Sequence, residues 1–385
     1  MMSPSDDAGL VEAVAGATGP LDIVGGGTRP TGRSPRGETV AVAGLSGISL
    51  YEPGALTMVA GAGTPVSEIE AALAAEGQML AFEPLALGAV TGAGGASTIG
   101  GIFATNASGP RRIQGGAARD YLLGVRFVDG LGRAVKNGGR VMKNVTGYDL
   151  VKLMAGAHGT LGVLSEVSFK TLPRAEAQAT IEIRGLSDAD AIATMSTAMG
   201  SPFDVSGAMH ASAGVEDAPV TRIRVEGFTD SVAYRADELA KRLDRFGEVH
   251  HVEGREAWDA ARHMAPFAKS AHGDGGAVWS ITVKPSDAPA FMAGVERFGC
   301  RYTFDWAGGR IFAGLGKDGD QAGFHAALQA AVGETGGQAR LLHGPAALSD
   351  AIAIFQPEAA PLAKLAAGLR ARFDPRGIFN TGLMG

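Results

Sequence analysis

The 385-residue sequence has one cysteine, Cys300. That excludes an internal disulfide and any iron–sulfur cluster held by cysteines of this chain. It has no surplus of positive charge, since 34 Lys and Arg face 40 Asp and Glu for a formal charge of −6. A general nucleic-acid binder needs a basic face, so that class is set aside. No apolar run approaches the roughly 18 residues that span a bilayer. The polar, acidic start "MMSPSDDAGL" does not read as a secretory signal. These absences predict a cytoplasmic or membrane-peripheral protein.

Glycine, by contrast, is abundant, with 58 residues. Its clusters fall mainly before residue 165. Residues 21–25 read as a strand that runs into Gly25-Gly26-Gly27. Segments 39–45 and 56–63 read as further strands. Thr64 then fits an N-cap with Pro65 at the first helical position. Val66, Ile69 and Leu73 follow at helical spacing. Residues 88–110 and 114–120 are glycine-rich loops. Residues 124–135 alternate around Asp129-Gly130, a hairpin signal, 147–156 is a short amphipathic helix, and 162–173 is a strand.

After Pro173 the glycine clusters thin. Strands at 178–184, 204–210, 221–228 and 248–252 alternate with helices at 188–199 and 230–246. A helix at 256–266 intervenes. Strands at 277–283, 301–305, 310–315 and 338–342 then alternate with helices at 287–298 and 319–332. This is the β-α-β-β-α-β order written twice. Two such units predict one antiparallel sheet with helices on one face. The tail carries a helix and then "FDPRGIFNTGLMG", whose Ile378 and Phe379 call for a docking surface. The fold class expected is α+β.

"GTRPTGRS" (27–34) approaches the phosphate loop G-x-x-x-x-G-K-[ST]. Arg33 stands where the lysine belongs, Pro30 stiffens the loop, and strand residues follow instead of a helix. No G-x-G-x-x-G opens a helix after a strand, so a nicotinamide Rossmann fold is disfavoured. Three successive glycines after a strand still expose N–H groups with no Cβ in the way, a nest for an anion. The second glycine-rich segment adds Thr98, Asn106 and Ser108 as hydrogen-bonding groups.

"VGGGTRPTG", "TIGGIFATNASGPRRIQGGAARDYLLGVRFVDGLG", "GYDLVKLMAGAHGTLGVLSEVSFK" and "RFDPRGIFNTG" occur in an order that resembles the vanillyl-alcohol-oxidase-like FAD-binding family. Within it, the pattern is similar to the FAD-binding E subunits of bacterial glycolate oxidase. The resemblance implies a PCMH-type, two-subdomain FAD-binding domain over 1–175. It leaves 176–345 as an α+β substrate or cap-like domain and 346–385 as a segment returning to the first. It implies that the first loop meets the FAD pyrophosphate through Gly25, Gly26, Gly27 and Thr28, with Arg29 and Pro30 at the edge. Thr98, Gly100, Gly101, Thr105, Asn106, Ser108 and Gly109 then lie along the cofactor, Gly162 and Val163 at its adenine side, and Asn380 at the returning tail. Covalent members carry a histidine in or after the first loop. Thr28 stands there, so non-covalent FAD is expected.

Oxidation of a 2-hydroxy acid needs a base, a cation for the carboxylate, and the α-hydrogen facing the flavin. His210, His250, His251, His263, His272 and His343 are candidate bases, and Arg310 a candidate clamp. No spacing singles one out, so the catalytic residues stay unknown. "HGDGG" (272–276) resembles the H-x-G-D-G-N-x-H stretch of larger relatives but has Gly276 for the asparagine and no second histidine. No metal site is expected. His158 reads as structural, near the cofactor. Three readings remain. The chain is a FAD-binding subunit of glycolate oxidase, beside a larger FAD-binding catalytic subunit and an iron–sulfur subunit, held at the inner membrane through partners. Or it is a stand-alone hydroxy-acid or sugar dehydrogenase. Or it is a flavin-retaining subunit without catalysis. In the first reading, the open sheet edge or Trp279 and Trp306 would offer anchors for partners.

Overall fold

The computed structural model describes residues 1–140 and 147–384. Strand Leu21–Val24 pairs in parallel with Glu38–Ala41, and the triple glycine leaves the end of the first strand. A five-stranded antiparallel sheet follows. Its order is Ile48–Glu52, Thr57–Gly61, Val163–Lys170, Leu122–Val128, Ala134–Gly138. Helix Val66–Ala75 covers it with Val66, Ile69 and Leu73, which share one core with Met58, Phe127, Val167 and Phe169.

Three local expectations change. Thr64 does not cap the helix. Its hydroxyl donates to the Gly61 carbonyl at 2.7 Å, closing the strand-end turn, and Pro65 takes the N-cap position. The Asp129-Gly130 hairpin forms with a longer loop, because the ladder ends at Val128–Ala134. The Asp129 carboxylate accepts from the Leu131 and Arg133 N–H groups, each at 3.0 Å, and fixes that loop. The segment 88–110 is not all loop: Ile99–Thr105 is a helix capped by Thr98, and Asn106 ends it in the left-handed region at φ 48°. Ile99, Ile102 and Phe103 supply its buried face. Its two glycines lower helix propensity and mask the pattern. Packing requires Gly100, since a Cβ there would lie 2.7 Å from the Ala62 carbonyl oxygen.

Residues 177–343 form one eight-stranded antiparallel sheet. Its order is Val249–Val252, Ala177–Arg184, Val220–Gly227, Val205–Ala211, Arg301–Asp305, Arg310–Leu315, Ala277–Thr282, Gln338–His343. Each half has the strand order of a β-α-β-β-α-β unit, and the halves join where His210 pairs with Phe304 and Ala211 with Thr303. The core of this unit lies between the sheet and helices such as Asp188–Met199, Thr229–Leu243 and Gln321–Thr335, with Ile183, Ile223, Ile281, Met195, Leu239 and Phe324 inside. Trp279 is fully buried there and donates to His325 Nδ1 at 3.2 Å, so it is a core residue and not an exposed anchor. Trp306 is also committed, donating to the Gly109 carbonyl at 3.0 Å.

The other face of the large sheet packs on the first body, with Val278, Phe312 and Leu342 joining Phe82, Phe103 and Phe169 in one core. The Arg224 guanidinium, fully buried, crosses this seam to Glu83 with contacts of 2.8 and 3.0 Å. The Glu83 carboxylate also accepts from the Arg111 N–H at 2.8 Å. The chain then returns. After helix Ala360–Phe373, Ile378 and Phe379 bury against Leu21, Val40 and Val163. Leu21 donates to the Ile378 carbonyl at 2.7 Å, and Asn380 donates to the Leu21 carbonyl at 2.9 Å. Among the described residues no helix is long and apolar enough to cross a membrane.

The seam makes stability acid-sensitive. Burial alone would raise the Glu83 pKa, but the Arg224 guanidinium and the Arg111 contacts hold it below the ordinary value. A depressed carboxylate stabilises the fold above its unfolded pKa, about 4.3, and loses that contribution as pH falls through the folded value. Glu83→Ala removes two charged hydrogen bonds from the buried Arg224, which keeps Glu226 at 3.2 Å, and should cost roughly 2 kcal/mol at neutral pH. Its melting temperature should fall less than that of the parent on acidification below about pH 4.3. Parallel slopes for the two proteins would contradict this account.

Candidate functional site

A groove with a cavity of about 370 Å³ runs between the triple glycine, the start of helix Ile99–Thr105, the turn at Gly159–Val163 and the tail at Asn380. Gly25, Gly26, Gly27, Thr28, Arg29, Pro30, Thr98, Gly100, Gly101, Thr105, Gly162, Val163 and Asn380 all line it. Asn106, Ser108 and Gly109 do not. Asn106 accepts from the Arg119 N–H at 2.9 Å and Ser108 from the Ala118 N–H at 2.9 Å, so both fasten the loop behind the groove. Gly109 packs against Glu83, where a Cβ would come within 2.3 Å of the carbonyl oxygen.

The glycines have distinct jobs. A Cβ on Gly26 would lie 1.6 Å from the Ala96 carbonyl oxygen, and one on Gly95 would lie 1.9 Å from the Gly26 carbonyl oxygen. The two glycine-rich segments therefore touch backbone to backbone. Gly27 sits at φ +68°, and nothing lies within 4 Å of where its Cβ would be. Gly26 thus serves the contact between segments, and Gly27 serves the turn. Among the described residues, no protein acceptor takes the backbone N–H groups of Gly25, Gly26, Gly27, Thr28 or Arg29. Consecutive unpaired N–H groups at the edge of a groove fit the phosphates of a dinucleotide. The Asp22 carboxylate accepts from the Arg36 and Gly37 N–H groups at 2.8 and 2.9 Å and so brings the loop back to its own strand.

Asn380 joins the pieces. Its Oδ1 accepts from the Ile23 N–H and its Nδ2 donates to the His158 carbonyl, both at 2.8 Å. His158, read as structural from the sequence, faces the groove. It has φ 52°, and its Nε2 lies 3.3 Å from Arg340 Nη1. Burial, with the positive Arg340 and Arg29 nearby, pushes its pKa down to about 3. At neutral pH this imidazole is uncharged and accepts from the guanidinium. Arg340 was missed at the sequence level, because a single arginine in an alternating strand carries no local signal.

The six candidate histidines do not converge. His250 and His251 lie on the edge strand Val249–Val252 and are exposed. His263 ends helix Glu256–Arg262 and is exposed. His210 is buried beside Thr221 and lines a separate cavity of about 340 Å³. His272 contacts the Gly273 carbonyl, and burial lowers its pKa. His343 reaches the glycine loop, with Nδ1 3.0 Å from the Pro30 carbonyl oxygen. Arg310 is not a free clamp: it donates to Asp305 at 2.6 Å and to the Ser108 carbonyl at 2.7 Å, and it stacks on Trp306. Among the described residues no three His, Cys, Asp or Glu side chains gather as a metal site.

A family model described as a FAD binding domain matches residues 2–138. The chain is 34% identical to glycolate oxidase subunit GlcE of Escherichia coli (strain K12), over 95% of this chain and 92% of that protein. It is 29% identical to a D-lactate dehydrogenase of Archaeoglobus fulgidus, over 65% of this chain and 52% of that one. It is 40% identical to glycolate oxidase subunit GlcD of Bacillus subtilis (strain 168) over 22% of this chain and 18% of that one. A solved alkyldihydroxyacetonephosphate synthase shares the fold, with a TM-score of 0.70 and 16% identity over 98% of this chain and 75% of that one. The near end-to-end match and the family model agree: the chain belongs to the GlcE family of FAD-dependent oxidoreductases, and its cofactor is FAD.

Proposed function

We propose that this chain is the FAD-carrying E-type subunit of a multisubunit enzyme that oxidises glycolate to glyoxylate. The observation that carries this reading is the similarity to GlcE over nearly the whole of both chains. Electrons leave through a larger FAD-binding subunit and an iron–sulfur subunit, because one cysteine cannot hold a cluster here. The complex is cytoplasmic and peripheral to the inner membrane through those partners. Residues 1–175 and 346–385 carry the cofactor, and 176–345 cap it.

In this reading the N–H groups of Gly25, Gly26, Gly27 and Thr28 take the pyrophosphate, bordered by Arg29 and Pro30. Thr98, Gly100, Gly101 and Thr105 give the ligand a floor of small residues. Gly162 and Val163 meet the adenine side, and Asn380 locks strand, turn and tail around it. Asn106, Ser108 and Gly109 support the floor from behind. Bound FAD supplies two-electron acceptance with onward transfer in one-electron steps. The protein supplies position and a positively charged surround.

Reconstitution tests the reading. Glycolate-dependent dye reduction should be negligible for the isolated chain and should appear once both partner subunits are added. Steady turnover by the isolated chain at the assembled rate would instead make it a stand-alone dehydrogenase. No turnover from the full assembly would make it a flavin-retaining subunit.

The cofactor makes two further expectations. Acid precipitation should release all FAD into the supernatant, since Thr28 offers no attachment nitrogen, and flavin left in the pellet would contradict non-covalent binding. Gly26→Ala should weaken FAD binding by about 10- to 100-fold in a fluorescence titration, because relieving a backbone overlap costs about 1–3 kcal/mol. An unchanged Kd for Gly26→Ala would show that contact between the two segments does not shape the site.

A further inference from the structure

Three half-buried guanidiniums at or near the groove have no acid beside them among the described residues. Arg29 lines it, donates through Nη2 to the Leu85 carbonyl, and keeps a buried Nε with no partner. Arg340 approaches from strand Gln338–His343 of the large sheet, the strand whose His343 touches Pro30 of the glycine loop. Arg112 stacks on Trp306, 4.5 Å from the ring centre. Among the described residues none of these three guanidiniums has a carboxylate within 4.0 Å. The nearby Asp305 is already taken by Arg310. Burial first, and each other's charge second, push the pKa of Arg29 down to about 9. Burial and Arg112 push that of Arg340 down to about 10.

Guanidinium groups held in this way lack an anion. The FAD pyrophosphate has its own donors in the row of N–H groups at Gly25–Thr28. What remains unmatched is a planar anion small enough to sit between two side chains from different bodies. Guanidinium donors match a carboxylate in pairs, with direction as well as charge. His158 offers Arg340 an acceptor and adds no charge, so it orients that side chain without competing as a counter-ion. We infer that Arg29 and Arg340, oriented in part by His158, form the binding site for the carboxylate of a small hydroxy acid beside the flavin groove. This rests on the hydroxy-acid reading above and gives it residues. It also replaces Arg310, whose charge is met by Asp305, with a pair that has only neutral partners, the Leu85 carbonyl and His158.

Oxalate, a small carboxylate that the flavin cannot oxidise, is the probe. It is titrated into the FAD-loaded protein within its complex while the visible flavin spectrum is followed. The parent protein should show a saturable spectral change. Arg340→Met should weaken oxalate binding by about 10- to 100-fold, the loss of charged hydrogen bonds, with FAD affinity changed less than about threefold. Arg340→Lys should recover part of the oxalate affinity, and a melting curve on each variant verifies folding. Three results would overturn the site: no oxalate effect on the parent, unchanged oxalate affinity in both Arg340→Met and Arg29→Met, or loss of FAD with oxalate affinity retained. The last would assign the arginines to the cofactor. Oxalate binding that Arg340→Met removes supports the site even where the assembled complex fails to oxidise glycolate, and that failure would reject only the functional reading.

Discussion

The groove depends on one close approach, the main chain at Gly26 lying against the main chain at Gly95 and Ala96. Any Cβ at the first two positions would enter the opposite carbonyl. That contact lets one segment supply N–H groups and the other supply a helix start, on two walls of one groove. A second approach, Gly100 on Ala62, seats the helix on the five-stranded sheet. Small residues here are therefore a packing requirement first, and the open space for a ligand follows from it. Asn380 completes the frame from the far end of the chain by bonding to both Ile23 and His158.

The large sheet does two jobs with two faces. Its helix-covered face is an ordinary apolar core. Its other face meets the first body through Phe312 and Leu342, and it carries charged residues at the seam. Toward Glu83 the charges are matched, with the Arg224 guanidinium on Glu83 and Glu226 and the Arg111 guanidinium on Glu226. Toward the groove they are not, with Arg29 and Arg340 lacking acids. Matched charge holds the bodies together, whereas unmatched charge beside a cavity marks a place for a ligand's charge.

Much of this was legible in the chain. The doubled β-α-β-β-α-β order follows from short apolar strand runs separated by helices of helical spacing. The glycine loop, the Gly162-Val163 turn and Asn380 were readable as family segments, and they meet at the groove. Other features were hidden for physical reasons. Helix Ile99–Thr105 carries two glycines, of which packing needs Gly100, so propensity argued against it. Asn106, Ser108 and Gly109 looked like ligand groups, yet Asn106 and Ser108 accept from the following Arg119 and Ala118 N–H groups, and Gly109 bonds to Phe82 and Trp306. Trp279 looked like an anchor, but position parity on its strand sends it into the core. Arg340 and His158 lie 182 residues apart and meet only through tertiary structure. No pattern within a window can show such a pair.

The central claim is that the backbone of Gly25–Thr28 meets the cofactor's phosphates in a groove shaped by the Gly26–Ala96 contact. The direct test is an experimental structure of the FAD-loaded chain. The account predicts pyrophosphate oxygens within hydrogen-bonding distance, about 2.7–3.2 Å, of N–H groups in that loop, with the Gly26–Ala96 contact intact. A pyrophosphate held elsewhere, with these N–H groups bonded only to water, would contradict it.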